Sequence, residues 1–250
     1  MEQYLDGKTI IITGGGRGIG RTFALHLAKY GAAVCIADID HGAAQATLEE
    51  LQSANYVGMA VTCDVTSLKD MEKMAADVFT KFGSIDVLIN NAGVFPIKMF
   101  GDISVEEWNR VIEIDLTGTF LATKAVYNQM KRQGKGKIIN MASVAGRVGG
   151  IGFAHYSAAK AGVIGFTKAL AREAGPLGIQ INAIAPGIIE TETAKTTFPE
   201  FALKDFIKNV PLSRLGREED LLGIVSFLCS KESDYITGQV LAVDGGYTMI

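Results

Sequence analysis

Tyr156 and Lys160 stand four residues apart in the stretch HYSAAK. On a helix such residues are neighbours, with β-carbons roughly 5–6 Å apart. A free phenol titrates near ~10 and is a poor acid or base at neutral pH, but a fixed positive charge beside it favours the anion. The pair has the makings of a tuned proton donor and acceptor. Any surface helix carrying both residues would show the same spacing, so the reading needs a reactant site and elements that hold both side chains at it.

Those elements are visible as a pattern. Seven short apolar runs, KTIIIT, AAVCIAD, YVGMAV, IDVLIN, GKIINMAS, IQINAIAP and QVLAVDG, read as strands. Between them lie segments of helical periodicity such as GIGRTFALHLAKYG and LKDMEKMAADVFTKFG. Strands apolar throughout and separated by helices predict a parallel sheet covered on both faces. The expected fold is therefore α/β, a Rossmann-type doubly wound sheet of about seven parallel strands, with ligands at the strands' carboxyl ends. No linker or repeat divides the chain, so residues 1–250 read as a single domain carrying both nucleotide and catalytic sites. Residues 188–210 form a long excursion after the sixth strand and read as a substrate lid.

Composition narrows the function classes. The 250 residues are 48% hydrophobic and 20% charged, which suits one domain with a large core. A net charge of −3 argues against a nucleic-acid partner. Neither a leader pattern nor an apolar run of the ~18 residues needed for a span is present, so a cytoplasmic protein with no membrane partner is expected. Cys35, Cys63 and Cys229 are far apart in apolar segments and read as buried thiols, with no metal-ligand spacing.

Directly after the first strand comes TGGGRGIG, residues 13–20, leading into a helix. Glycines there let the backbone approach a pyrophosphate, which the amides and dipole of the helix N-terminus stabilise. Asp38 ends the second strand, eighteen positions past Gly20. It can accept hydrogen bonds from ribose hydroxyls and would repel a 2′-phosphate, which favours NAD over NADP. Arg17, inside the loop, is the dissenting residue, able to meet a 2′-phosphate or to remain a solvated cation.

On these motifs the chain resembles the short-chain dehydrogenase/reductase family along nearly its full length. Thr13, Gly14, Gly18 and Gly20 fill the family's TGxxxGxG, and Asp64 with Val65 stands at its adenine-side aspartate. The family's NNAG is Asn90, Asn91, Ala92 and Gly93; its serine, thirteen positions before the tyrosine, is Ser143. Its PG is Pro186 and Gly187, and its nicotinamide-amide contact matches Thr191. The resemblance implies a cofactor site of these residues together with Arg17, Ile19, Asp38, Ile189, Tyr156 and Lys160. One position departs. Where the family has asparagine in NLTG, supporting a helix kink and a proton-relaying water, this chain has Asp115 in DLTG. An ionised aspartate only accepts hydrogen bonds. It is either a tolerated isostere or a carboxylate that alters the pH at which Tyr156 works.

The chemistry the resemblance implies is reversible hydride transfer between a nicotinamide and a carbonyl carbon. Tyr156 would take or give the proton, Lys160 would lower the phenol pKa and hold the nicotinamide ribose, and Ser143 would hydrogen-bond the substrate oxygen. His155 precedes the tyrosine, points about 100° away around the helix and has either a packing or a pocket-lining role. A Ser–His hydrolase built on Ser143 and His155 is rejected, because no G-x-S-x-G elbow presents the serine.

Val94, Phe95, Pro96, Ile97, Val144, Phe153 and Ile188 lie in the segments expected around the substrate. They offer few partners to a polyol, so a hydrophobic secondary alcohol or ketone is the expected small-molecule substrate. The alternative is a 3-oxoacyl-acyl-carrier-protein reductase using NADPH, docking its acidic carrier on Lys131, Arg132 and Arg172. The NADPH preference usual in such reductases conflicts with Asp38. A non-catalytic nucleotide sensor has no chemical need for a tuned phenol. The family pairs through the long helices after the fourth and fifth strands, here about residues 105–130 and 155–174, so a homotetramer is expected.

Overall fold

All seven apolar runs form strands in the computed structural model, which describes residues 4–249. They are β1 (Thr9–Thr13), β2 (Ala33–Asp38), β3 (Gly58–Thr62), β4 (Val87–Asn90), β5 (Gly136–Met141), β6 (Ile179–Pro186) and β7 (Val240–Val243). Every pairing is parallel, in the order β3-β2-β1-β4-β5-β6-β7. Alternation along a strand sends successive side chains to opposite faces. In β1, Ile10 and Ile12 join one apolar cluster and Ile11 joins the other.

Three helices cover the first face: α1 (Gly18–Lys29), α2 (His41–Ser53) and α10 (Leu222–Cys229), with Phe23, Leu48 and Val225 in its core. The second is covered by α3 (Leu68–Phe82), α5 (Gly118–Gln133) and α7 (Ala154–Ala174), through Met71, Val126 and Ala171. Each fully buried side chain of Leu or Phe size contributes about 1.5–3 kcal/mol. The chain order reverses between β1 and β4, which opens a crevice at their carboxyl ends.

Helix starts follow local chemistry. Asp40 caps α2 by accepting from the Ala43 amide, and Ser67 caps α3 by accepting from Asp70. Ser104 and Glu107 form a reciprocal capping box on α4 (Val105–Ile112). At α1 the capping position is Arg17, whose side chain makes no capping hydrogen bond among the described residues. Between α4 and α5 the backbone widens into a π turn, Glu113–Thr117. The long helix expected over 105–130 thus carries a local change of winding, and it continues to Gln133.

The remaining helices are α6 (Ala145–Val148), α8 (Glu192–Thr197) and α9 (Glu200–Lys208). The last two give the excursion at 188–210 its structure. The three cysteines are free and buried, and burial pushes their thiols up, to about 12 at Cys63 and Cys229. Among the described residues no helix is long and apolar enough to cross a membrane.

Candidate active site

The nucleotide end is built from backbone and small residues. Thr13 ends β1 and its hydroxyl accepts from the amides of Asn91 (3.0 Å) and Ala92 (3.1 Å) beyond β4. The Asn91 side-chain amide returns the tie, donating to the carbonyls of Thr13 (3.1 Å) and Gly14 (3.0 Å). Gly14 has φ +62° and Gly18 φ +52°, values that L side chains rarely adopt. At Gly20 the reason is space: a β-carbon would fall 2.0 Å from the Gly14 carbonyl oxygen.

Asp38 closes this end. Its Oδ2 accepts from the Gly16 amide (2.9 Å) and its Oδ1 from Asp40 (3.0 Å), with the residue 7% exposed. The carboxylate is thereby fixed beside the glycine loop. Arg17, read from sequence as a dissenting cation, is ion-paired with Asp40. The pair is exposed and therefore weak, but it gives Arg17 a local carboxylate partner that the spacing did not reveal. Asp64 is half-buried and held locally: its Oδ1 accepts from both the amide and the hydroxyl of Thr66 at 2.8 Å. Val65 packs so close to Gly118 that a β-carbon there would sit 2.8 Å from it.

Four chemistry-bearing side chains converge at the carboxyl end of β5. Ser143 follows the strand, and its Oγ accepts from the Ala145 amide at 3.1 Å, while its hydroxyl is near enough to draw the Tyr156 phenol toward its anion. Lys160 is 4% exposed; its Nζ donates to the Met141 carbonyl (2.9 Å), lies 5.6 Å from the Tyr156 ring centre and is 3.1 Å from Asp115 Oδ2. Asp115 sits on the π turn, fully buried, with Oδ1 accepting from the Val94 amide at 2.8 Å. Gly93 admits the carboxylate, since a β-carbon there would be 3.0 Å from Oδ2.

Opposing influences meet at the Tyr156 phenol. Burial raises it most, Lys160 draws it down, the Asp115 charge raises it again, and Tyr156 lies above the ordinary phenol value. Burial opposes the Lys160 ammonium, yet Asp115 and Tyr156 hold it above the usual lysine range. Burial raises the Asp115 carboxyl against the pull of Lys160 and the Val94 amide. His155 is 1% exposed, and neither ring nitrogen has a hydrogen-bond partner among the described residues. Burial holds it below the ordinary histidine value against the attraction of Glu107 and Asp115. Of its two expected roles, packing is the one its position fits.

Around Tyr156 the surface is aromatic. Ring centres lie 5.6 Å apart for Phe153–Tyr156 and 6.2 Å for Phe95–Tyr156. Phe198, which follows α8, sits 5.7 Å from Phe153 and 6.4 Å from Phe95, with its ring stacked on the latter. Sequence reasoning missed Phe198, a single aromatic in a segment without periodicity. Its place inside the excursion at 188–210 was the one available signal. Lys98 donates its amide to Gly152 (2.9 Å), fixing the Phe95 loop to the turn before Phe153.

Val144 is buried and its amide donates to the Pro186 carbonyl at 3.1 Å, joining the ends of β5 and β6. Gly187 donates to Val243 at 3.1 Å, Ile188 accepts from Gly216 at 3.0 Å, and Ile189 bridges Gly216. The Thr191 hydroxyl accepts from the Ala194 amide at 3.1 Å and so caps α8. Among the described residues no group of three or more His, Cys, Asp or Glu is placed to hold a metal ion.

Comparison with known proteins agrees with this construction. A family model described as enoyl-(acyl carrier protein) reductase matches residues 14–248. The chain is 40% identical to a 3-oxoacyl-[acyl-carrier-protein] reductase of Aquifex aeolicus and 40% identical to a sorbitol dehydrogenase of Cereibacter sphaeroides; each match covers 98% of this chain and 99% of the relative. Among solved structures, gox2181 superposes with a TM-score of 0.95 at 32% identity, covering 98% of this chain and 97% of the other. An NAD+-bound xylitol dehydrogenase does so at 0.92 and 31%, covering 97% and 99%. With the glycine loop, the Asn91 tie and the Ser143–Tyr156–Lys160 cluster on the page, these matches establish the family: the chain belongs to the short-chain dehydrogenase/reductases, oxidoreductases that bind a nicotinamide cofactor.

Proposed function

We propose that the chain moves a hydride between NAD and a hydrophobic secondary alcohol or its ketone. The observation that carries this reading is the convergence of Ser143, Tyr156 and Lys160 beside an aromatic wall. In the oxidative direction Tyr156 as phenolate takes the alcohol proton; in the reductive direction the phenol returns it to the carbonyl oxygen. Ser143 donates to that oxygen and stabilises the charge developing on it. Lys160 keeps a positive charge beneath the phenol.

The residues present fit a dinucleotide. Side-chain-free positions at Gly14, Gly16 and Gly20 form a cradle, and a β-carbon at Gly16 would lie 2.9 Å from Asp38 Oδ2. Gly14, Gly18, Ile19 and the first amides of α1 would hold the pyrophosphate, Asp38 the adenosine ribose, and Asp64 with Val65 the adenine. Asn91, Ala92 and Gly93 would line the middle, and Lys160, Pro186, Gly187, Ile189 and Thr191 the nicotinamide side. When bound, the cofactor supplies or accepts the hydride. NAD is favoured because Asp38 has both oxygens anchored by backbone amides and cannot easily swing away from a 2′-phosphate.

The whole chain forms one domain, working in the cytoplasm, with residues 188–210 closing over the substrate through Phe198. It assembles as a homotetramer through α4, α5 and α7; the exposed Phe120 on α5, in edge contact with Phe166 on α7, supports pairing there.

A second reading, a 3-oxoacyl-acyl-carrier-protein reductase, is favoured by the Aquifex relative. The basic residues suggested for its carrier count against it. Lys131, Arg132 and Arg172 lie at the C-terminal ends of α5 and α7, which precede β5 and β6 and so stand at the strands' amino edge, at the opposite end of the strands from Tyr156. The deciding experiment follows NADH and NADPH formation with apolar, aromatic and polyol secondary alcohols and a β-hydroxyacyl thioester. Turnover of an apolar alcohol with NAD upholds the first reading; a preference for NADP and the thioester replaces it with the second.

A further inference from the structure

We propose that Asp115 is a positioning residue whose carboxylate cancels much of the Lys160 charge felt by Tyr156 and thereby weights the site toward donating a proton to a carbonyl. The inference rests on Tyr156 being the acid–base group, as proposed above.

The geometry is that of a held charge. One carboxylate oxygen is anchored by the Val94 amide at 2.8 Å. The other faces Lys160 Nζ at 3.1 Å and, apart from this ion pair, has no hydrogen-bond partner among the described residues. Asp115 is fully buried and Lys160 nearly so, so water screens neither charge. The π turn directs the carboxylate inward, and the bare Gly93 leaves it room. A lone ammonium beside a phenol stabilises the phenolate; an ammonium with a carboxylate 3.1 Å away presents a dipole whose field falls off faster with distance. An asparagine here would leave the positive charge uncompensated.

Among the described residues, the other charged or titratable groups on the elements packed here include Arg147 on α6, whose neighbour Gly146 abuts Lys160. From α7 come Lys160 and His155, and from the end of β5 the neutral Ser143. From α4 comes Glu107, which is paired to Lys98 and interacts with His155. His155 stays below its ordinary value and so is neutral at the pH at which the phenol titrates. The raised phenol agrees with this balance, Asp115 adding to burial in raising it.

The test is Asp115→Asn in the full chain, with kcat/KM followed against pH in both directions. Alcohol oxidation needs the phenolate and rises as pH climbs through the Tyr156 titration. Carbonyl reduction needs the phenol and falls there. Without the carboxylate both limbs should move to lower pH, by about one unit. A purely structural role would lower the rates at every pH and leave both limbs in place, which would overturn the proposal. A second readout needs no turnover. Ultraviolet titration of the cofactor-free protein, minus that of Tyr156→Phe, isolates the Tyr156 phenolate band. In Asp115→Asn, with Asp115→Asn/Tyr156→Phe as its blank, the band should emerge at lower pH than in wild type, and emergence at the same pH would also overturn the proposal. Retained turnover in Tyr156→Phe would instead sink the acid–base reading, while the phenolate titration would still decide what Asp115 does to the phenol.

Discussion

The two ends of the crevice are made by opposite means. At the nucleotide end, function depends on side chains that are missing. Gly14, Gly16 and Gly20 leave backbone exposed, and the polar groups present, Thr13, Asn91 and Asp38, are satisfied by backbone partners at 2.9–3.1 Å. At the catalytic end, function depends on side chains crowded together, with a buried ion pair, a raised phenol and three phenylalanine rings about Tyr156. The first is a rigid mould that tolerates little change in shape. The second is a balance of charges and surfaces, in which a substitution can alter rate, pH dependence or preference without disturbing the fold.

The sharpest break in that contrast is Tyr156→Phe. It should lower turnover by about 10²–10⁴-fold or more. Dinucleotide affinity, read by quenching of protein fluorescence, should remain near wild type. A parallel loss of binding would mean that the two ends are not separable. Gly20→Ala attacks the mould: with the new methyl 2.0 Å from the Gly14 oxygen, about 1–3 kcal/mol of stability should be lost, together with dinucleotide binding. Thermal melting with and without NAD checks both, and an unchanged melting temperature would show that the loop yields easily.

Asp38→Asn removes a charge but keeps the shape, and should move the NAD/NADP preference toward NADP by about tenfold. Steady-state KM values for the two dinucleotides measure it. If the ratio holds, something other than charge sets the preference. The smallest effect is expected for Phe198→Ala. Losing one ring of the aromatic wall should raise KM for apolar substrates by about 2–10-fold at nearly constant kcat, leaving NAD affinity alone. If kcat falls equally, Phe198 acts on the chemistry rather than on substrate capture.

The contrast also explains what could be read from the sequence. The seven strands are encoded in local apolar runs, and the parallel order follows from their alternation with helices. The loop glycines announce themselves because few other residues fit the backbone they adopt. At the catalytic end only the i, i+4 spacing of Tyr156 and Lys160 is local. The net upward shift of the phenol was not legible, since it arises first from burial and then from Asp115, 41 positions earlier in the chain, both of them products of tertiary packing. Arg17 looked free because its partner Asp40 stands 23 residues on, at the start of α2 beyond the second strand, rather than in the loop. Phe198 carries no period or motif, and its ring contacts link segments more than 40 residues apart.

The π turn at Glu113–Thr117 bears on how this chain can change in length. Such a turn holds one residue more than an α-helix would over the same stretch. Deleting a single residue there would let the segment rewind as an ordinary helix. Because the extra residue is taken up within the bulge, α5 would keep nearly its present phase against α4. Ala122, Val126 and Met130 would stay against the sheet, whereas Asp115, inside the bulge, would be re-aimed and leave Lys160. A loop such as residues 188–210 can lose or gain residues and merely reshape a pocket, whereas a one-residue gap here would spare the helix and undo the site, so the extra residue of these five positions serves the aim of one carboxylate.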